Sequence, residues 1–80
     1  FNSFVTIPYD IHIKSNVSVI ISNVLGQRIF SYNYPNQPAG NYKISWNGIN
    51  DRDINVSGGI YIVTLKTDVS TDFKKIILLK

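Results

Sequence analysis

Eighty residues with a formal net charge of +3, 44% hydrophobic and 16% charged, make one globular domain with no room for a second core. The balance excludes a disordered chain, and so small a positive charge does not establish nucleic-acid binding. No apolar run is long enough to span a membrane as a helix, and the chain shows no signal peptide.

Glu is absent and Ala occurs once, at Ala39, so the residues that helices use most are missing. Five Tyr, four Phe and one Trp stand among many Ile, Val, Asn and Ser, a mixture of strand and turn formers. An all-β fold follows. The chain has neither Cys nor Met, which fits an intracellular protein or an exported bacterial module that folds without disulfides. It opens at Phe1 rather than Met, as expected of a processed or excised piece of something longer. At ~0.05–0.15 kcal/mol per residue its net stability would be roughly 4–12 kcal/mol. Loss of one buried aromatic, at about 3–5 kcal/mol, is then a serious injury.

Phe1-Asn2-Ser3 leads into a first strand in which Val5, Ile7 and Tyr9 share a face. Pro8 lacks a ladder donor, so that strand belongs at an edge or ends near a bulge. Ile11-His12-Ile13 extends it, and Lys14-Ser15-Asn16 turns the chain. Val17, Val19 and Ile21 then alternate with Ser18, Ile20 and Ser22, the clearest one-sided strand in the sequence. Gly26 marks a turn, and Arg28 to Tyr32 returns as the partner strand. Asn33 to Asn41, with Pro35, Pro38 and Gly40, reads as a surface loop.

Tyr42, Ile44 and Trp46 alternate with Lys43, Ser45 and Asn47 before the turn signal Asn47-Gly48. Trp46 in that setting reads as a core plug. Ile49 to Ser57 is a polar excursion with room for a short strand, ending at Gly58-Gly59. Two apolar runs follow, Ile60 to Leu65 and Phe73 to Leu79, joined by the polar segment Lys66 to Asp72. They read as a long antiparallel hairpin, apolar on both faces at its centre, whose last strand must be buried. A helix over Asp72–Lys80 is the competing reading, since Phe73, Ile76 and Ile77 share a helical face, but the segment is short and uncapped. About six to seven short strands with regular turn signals give an immunoglobulin-like antiparallel β-sandwich.

Chemistry finds little to stand on. His12 is the one histidine, no Gly-x-Ser-x-Gly elbow occurs, and the absence of Glu and Cys empties most acid–base and thiol mechanisms. The chain therefore reads as no enzyme, with no catalytic residue, no cofactor and no small-molecule substrate. Asp51, Asp53 and Asn55 open like a calcium loop, but Val56 stands where its Gly belongs and Ile62 where its closing Glu belongs. A different oxygen-rich cation site at Asn47, Asn50, Asp51 and Asp53 stays open beside the plainer reading of side chains capping their own turn. Phe30, Tyr32, Tyr34 and Tyr42 near Arg28 and Lys43 allow a nucleic-acid or sugar stacking platform, though aromatics alternating on strands usually pack the core. Asn16-Val17-Ser18 and Asn55-Val56-Ser57 match glycosylation sequons. Lys74, Lys75 and Lys80 form the one charge cluster, either a guard against edge-to-edge aggregation or a surface that a partner reads.

In order, the markers are Phe1-Asn2, Val5-Thr6-Ile7-x-Tyr9, Asn16-Val17-Ser18, Asn23-Val24-Leu25-Gly26-Gln27, Ala39-Gly40-Asn41-Tyr42, Trp46-Asn47-Gly48, Ser57-Gly58-Gly59-Ile60-Tyr61 and Lys74-Lys75-Ile76. The series resembles the type A C-terminal sorting domain of proteins exported by the bacterial type IX secretion system. Flagellar hook-capping domains carry a related Trp-x-Gly and Gly-x-Tyr pattern. The sorting resemblance implies that residues 1–80 are a single C-terminal sorting domain, excised from a larger secreted protein, a sandwich that directs its parent through the periplasm and across the outer membrane to the cell surface or the medium. It implies the secretion machinery and a sortase-like processing peptidase as partners, with no nucleic acid. It also implies a recognition surface at Gly58, Gly59, Tyr61, Lys74, Lys75, Ile76, Ile77, Leu78, Leu79 and Lys80, with Gly26, Gly40, Trp46 and Gly48 as structural motif residues. The alternative is a non-catalytic accessory module that binds polysaccharide or a surface protein.

Overall fold

The structure, a computed structural model, describes residues 4–80. Phe1 and Asn2, with the marker they form, lie outside the described residues. Six strands follow in chain order: β1 Val5–Ile11, β2 Ser15–Asn23, β3 Arg28–Gln37, β4 Gly40–Trp46, β5 Gly59–Lys66 and β6 Thr71–Leu78. All pairings are antiparallel. β1 and β4 form one sheet, and the other runs β3-β2-β5-β6. The protein is an all-β immunoglobulin-like sandwich, and the segment that offered a helical alternative is strand β6.

The alternation in the sequence sets the faces. Val17, Val19 and Ile21 are buried on β2, and Ile7, Tyr9 and Ile11 on β1 oppose them from the other sheet. Ile44 and Trp46 of β4, Tyr61 and Val63 of β5, and Ile76 and Leu78 of β6 complete the core. Pro8 lies on β1, which pairs only with β4 among the described residues, so its missing N–H spoils no central ladder.

Three expectations change. Asn33 to Asn41 is mostly strand: β3 runs on to Gln37, and only Pro38 and Ala39 separate it from β4. Tyr34 continues the core-facing row of Phe30 and Tyr32 opposite Val17, and Pro35 is tolerated because β3 is an edge strand. A register shift there is absorbed at Asn36, at φ 53°, whose N–H donates to Asn16 Oδ1 at 3.0 Å. His12 lies in the bend after β1 rather than in the strand. The terminal hairpin buries one face only, because no second layer covers the outer side of the larger sheet among the described residues.

Candidate functional site

The sequence concentrates its candidate contact residues on β6 and on the entry to β5. β6 pairs with β5 in the register Gly59↔Leu78, Tyr61↔Ile76 and Val63↔Lys74. Since β-strand side chains alternate, Asp72, Lys74, Ile76 and Leu78 share the inner face, and Phe73, Lys75 and Ile77 the outer. Ile76 and Leu78 are 7% and 1% exposed, against 73% for Phe73, 55% for Ile77 and 75% for Leu79. The expected recognition residues therefore divide into two sets with different work.

The inner set builds the fold. Trp46 is wholly buried, with its ring edge-on to Tyr61 at a centroid distance of 5.0 Å, and its indole N–H donates to the Ile49 carbonyl at 2.9 Å. The Tyr61 hydroxyl donates to the carbonyl of Ser57, four residues upstream, which fixes the chain at the Gly58-Gly59 corner. Tyr42 makes the same contact to Pro38 across Gly40. These are tyrosine corners, a device that pins the start of a strand to the preceding loop. Sequence reasoning missed them, although Gly40-Asn41-Tyr42 and Gly59-Ile60-Tyr61 repeat the same signal.

Two glycines make room for the end of β6. At Gly48, φ is +75° and a Cβ would come within 2.9 Å of Leu78 Cδ2. At Gly58, a Cβ would stand 3.1 Å from the Leu78 carbonyl oxygen and 3.1 Å from Lys80 Cγ. The pattern Trp-x-Gly followed by Gly-Gly-x-Tyr thus encodes a seat for Leu78. Gly26, at φ +85°, has open space around it and serves the β2–β3 turn. Asn23 holds that turn, its Oδ1 accepting from the Leu25 and Gln27 amides at 3.0 Å each.

The outer set is presented to solvent. Phe73, Lys75 and Ile77 stand beside Ile60 and the half-buried Ile62 and Ile20. Lys74 and Lys80 are exposed as well. β6 is the last strand of its sheet, and a cleft of about 350 Å³ opens beside it, between β6 and β1. The β5–β6 turn is ordered from the side of β2. Asp68 accepts from the Asn16 amide at 3.0 Å, and its own amide donates to the buried Ser15 Oγ at 2.8 Å.

The other candidates resolve into structure. Phe30, Tyr32 and Tyr34 lie opposite Ile21, Val19 and Val17 and pack against the core instead of forming an exposed platform. Burial raises the Tyr32 pKa above its ordinary value, with Tyr34 nearby adding to the rise. Burial raises that of Tyr9 too, opposed by a hydrogen bond to Gln37 Oε1 at 3.1 Å and aided by Tyr34 and Tyr42. In the loop after β4, Asn50 Oδ1 accepts from the Arg52 and Ile54 amides, and the Asp51 carboxylate pairs with Arg28. No group of three or more His, Asp or Glu side chains stands together there or elsewhere among the described residues. The Asn16 side chain is engaged with Asn36 and Asp68, so the first sequon is built into the sheet.

Compared with known proteins, the chain matches the model of one family, the FlgD Ig-like domain, over residues 10–70. No curated protein and no solved structure matches it. The match overturns the resemblance to type IX sorting domains, because the family that fits is associated with flagellar hook assembly. The export-signal role, the type IX machinery and the sortase-like peptidase as partners fall with it. The accessory polysaccharide or surface-protein module gains no support either. The physical reason lies in the motifs. Trp46, Gly48, Gly58 and Tyr61 meet demands of the sandwich, a core plug, two close approaches and a corner, so a resemblance they carry speaks of packing rather than of export.

Proposed function

We propose, from the fact that this chain belongs to the FlgD Ig-like domain family, that it serves flagellar hook assembly as a structural domain without a reaction of its own. The observation that carries this reading is the family match over most of the chain. Asn50 and Asp68 are engaged in holding turns and Asp51 pairs with Arg28, which fits a structural role for these side chains. On this reading the protein is exported and works at the cell surface by contact with other proteins. The contact surface is the outer face of β5 and β6, where Ile60, Phe73 and Ile77 are exposed around Lys75. Large apolar side chains exposed on one sheet face are characteristic of protein–protein contact.

The test removes the domain from its parent protein in the bacterium that encodes it, with hooks imaged by electron microscopy. Missing or misassembled hooks, with the truncated parent still present in the cell, are the expected result. Normal hooks and normal swimming would overturn the proposal.

A further inference from the structure

Among the described residues, β6 has a strand on one side only, and the cleft on the other side is largely apolar. β1 contributes Ile7 and Tyr9 to its lining, β5 contributes Val63 and Leu65, and β6 contributes Phe73 and Lys74. Asp10 and Asp72 also stand there. The cleft's volume of about 350 Å³ is at the lower end of the range that ordered ligands fill. A strand laid along β6 would extend the larger sheet. Every second side chain of it would join the face of Asp72, Lys74 and Ile76 and stand over the cleft. The others would join Phe73, Lys75 and Ile77 on the outer face.

Charge decides which strand fits. β6 and the two residues after it carry Lys74, Lys75 and Lys80 against one carboxylate, Asp72. Two copies pairing antiparallel about the Lys74–Lys75 bond would set Lys74 opposite Lys75, which opposes self-association in that register. A strand whose acidic side chains all share the outer face meets Lys75 there and keeps them clear of Asp10 and Asp72 on the cleft side. We infer that the open edge of β6 and the cleft beside it receive an extended segment of a partner protein, apolar at alternate positions and acidic between them. Backbone hydrogen bonds to β6 supply affinity, and the cleft supplies register by accepting the inward apolar side chains. The inference rests on the assembly reading, which supplies the need for a protein partner, and its test is independent of hook formation.

The probe is a blocked peptide of alternating valine and aspartate, long enough to cover β6, titrated into the isotope-labelled chain and followed by NMR and amide exchange. Saturable shifts at Ile7, Tyr9 and Asp72 to Lys74, with new exchange protection along β6, are expected. The Lys74→Glu/Lys75→Glu variant keeps its fold, since both side chains are exposed, and binds about tenfold more weakly. A valine–lysine peptide does not bind. The inference is overturned by no saturable shift up to about 1 mM peptide, by shifts confined to another face, or by equal binding of the two peptides. It is also overturned by an unchanged affinity in the charge-reversed variant, or by dimerisation through β6 in sedimentation. Failure here with hooks still lost on domain deletion refutes the docked strand and leaves the assembly role standing. Peptide binding with normal hooks in the deletion does the reverse.

Discussion

Leu78 and Leu79 are neighbours of identical chemistry, and the sandwich assigns them opposite fates. Leu78 is 1% exposed and fills the space that Gly48 leaves, while Leu79 is 75% exposed. Truncating a buried Leu to Ala removes the transfer free energy of its methyl groups and leaves a cavity, at about 2–5 kcal/mol in all. Against a total of roughly 4–12 kcal/mol for a chain of this length, Leu78→Ala removes a large share of the stability. At about 4–8 °C per kcal/mol, a loss near the middle of that range, about 3.5 kcal/mol, lowers Tm by about 14–28 °C. Leu79→Ala stays within about 0.5 kcal/mol. Ile76→Ala and Ile77→Ala repeat the contrast one step earlier, since 7% and 55% of those side chains are exposed. Urea unfolding of the four variants, with the slope unchanged, is the assay. Equal losses at positions 78 and 79 would refute the half-buried edge strand. Large losses at Ile76 and Ile77 together would favour a strand buried on both faces or a helix.

Three further outcomes follow from the same packing. Gly48→Ala costs about 1–3 kcal/mol, because φ is +75° and the new Cβ meets Leu78 Cδ2 at 2.9 Å. Combined with Leu78→Ala it costs less than the sum of the two, and a double-mutant cycle in urea reads the difference. Tyr61→Phe, which removes the hydroxyl bond to the Ser57 carbonyl, costs about 0.5–1.5 kcal/mol and leaves the circular dichroism spectrum unchanged. Additive costs for Gly48 and Leu78, or no cost at Tyr61, would count against the Leu78 seat and the corner respectively. Tyr9 and Tyr32 lose their protons at a higher pH in the folded chain than in the unfolded one, chiefly through burial. The stability held in those protons is complete below pH about 10 and falls as pH rises through the folded values. Tm then drops in that alkaline window, less steeply in Tyr9→Phe; an unchanged slope in that variant would contradict the assignment.

Much of the fold was legible because side-chain alternation is a direct print of the sheet's two faces. Val17, Val19 and Ile21 showed the central strand, and Trp46 showed the core plug. The length of β3 was not legible. Pro35 and Asn36 are turn residues in isolation, and only the edge position of β3 and the Asn16–Asn36 bond let the strand continue. The exposure of Phe73, Ile77 and Leu79 was hidden for a related reason. An apolar run gives no sign of whether a second layer covers its outer face, which is a property of the whole sheet order. Ser15, which is buried, escaped notice because its hydroxyl is bonded by the Asp68 amide, more than fifty residues away in sequence. As for the site, the sequence placed its candidate residues on β6 and the β5 entry. Their division into seat and surface came only with the register.

The central claim, that this sandwich joins hook assembly through β6, is tested most directly by crosslinking in living cells. A photoreactive residue replaces Lys75 on the outer face of β6 in the parent protein, and another replaces the exposed Lys43 on β4 of the smaller sheet. The account predicts an adduct with a hook-assembly protein from position 75 and none from position 43. An adduct from position 43 alone, or adducts at position 75 with no hook-assembly component, would contradict it.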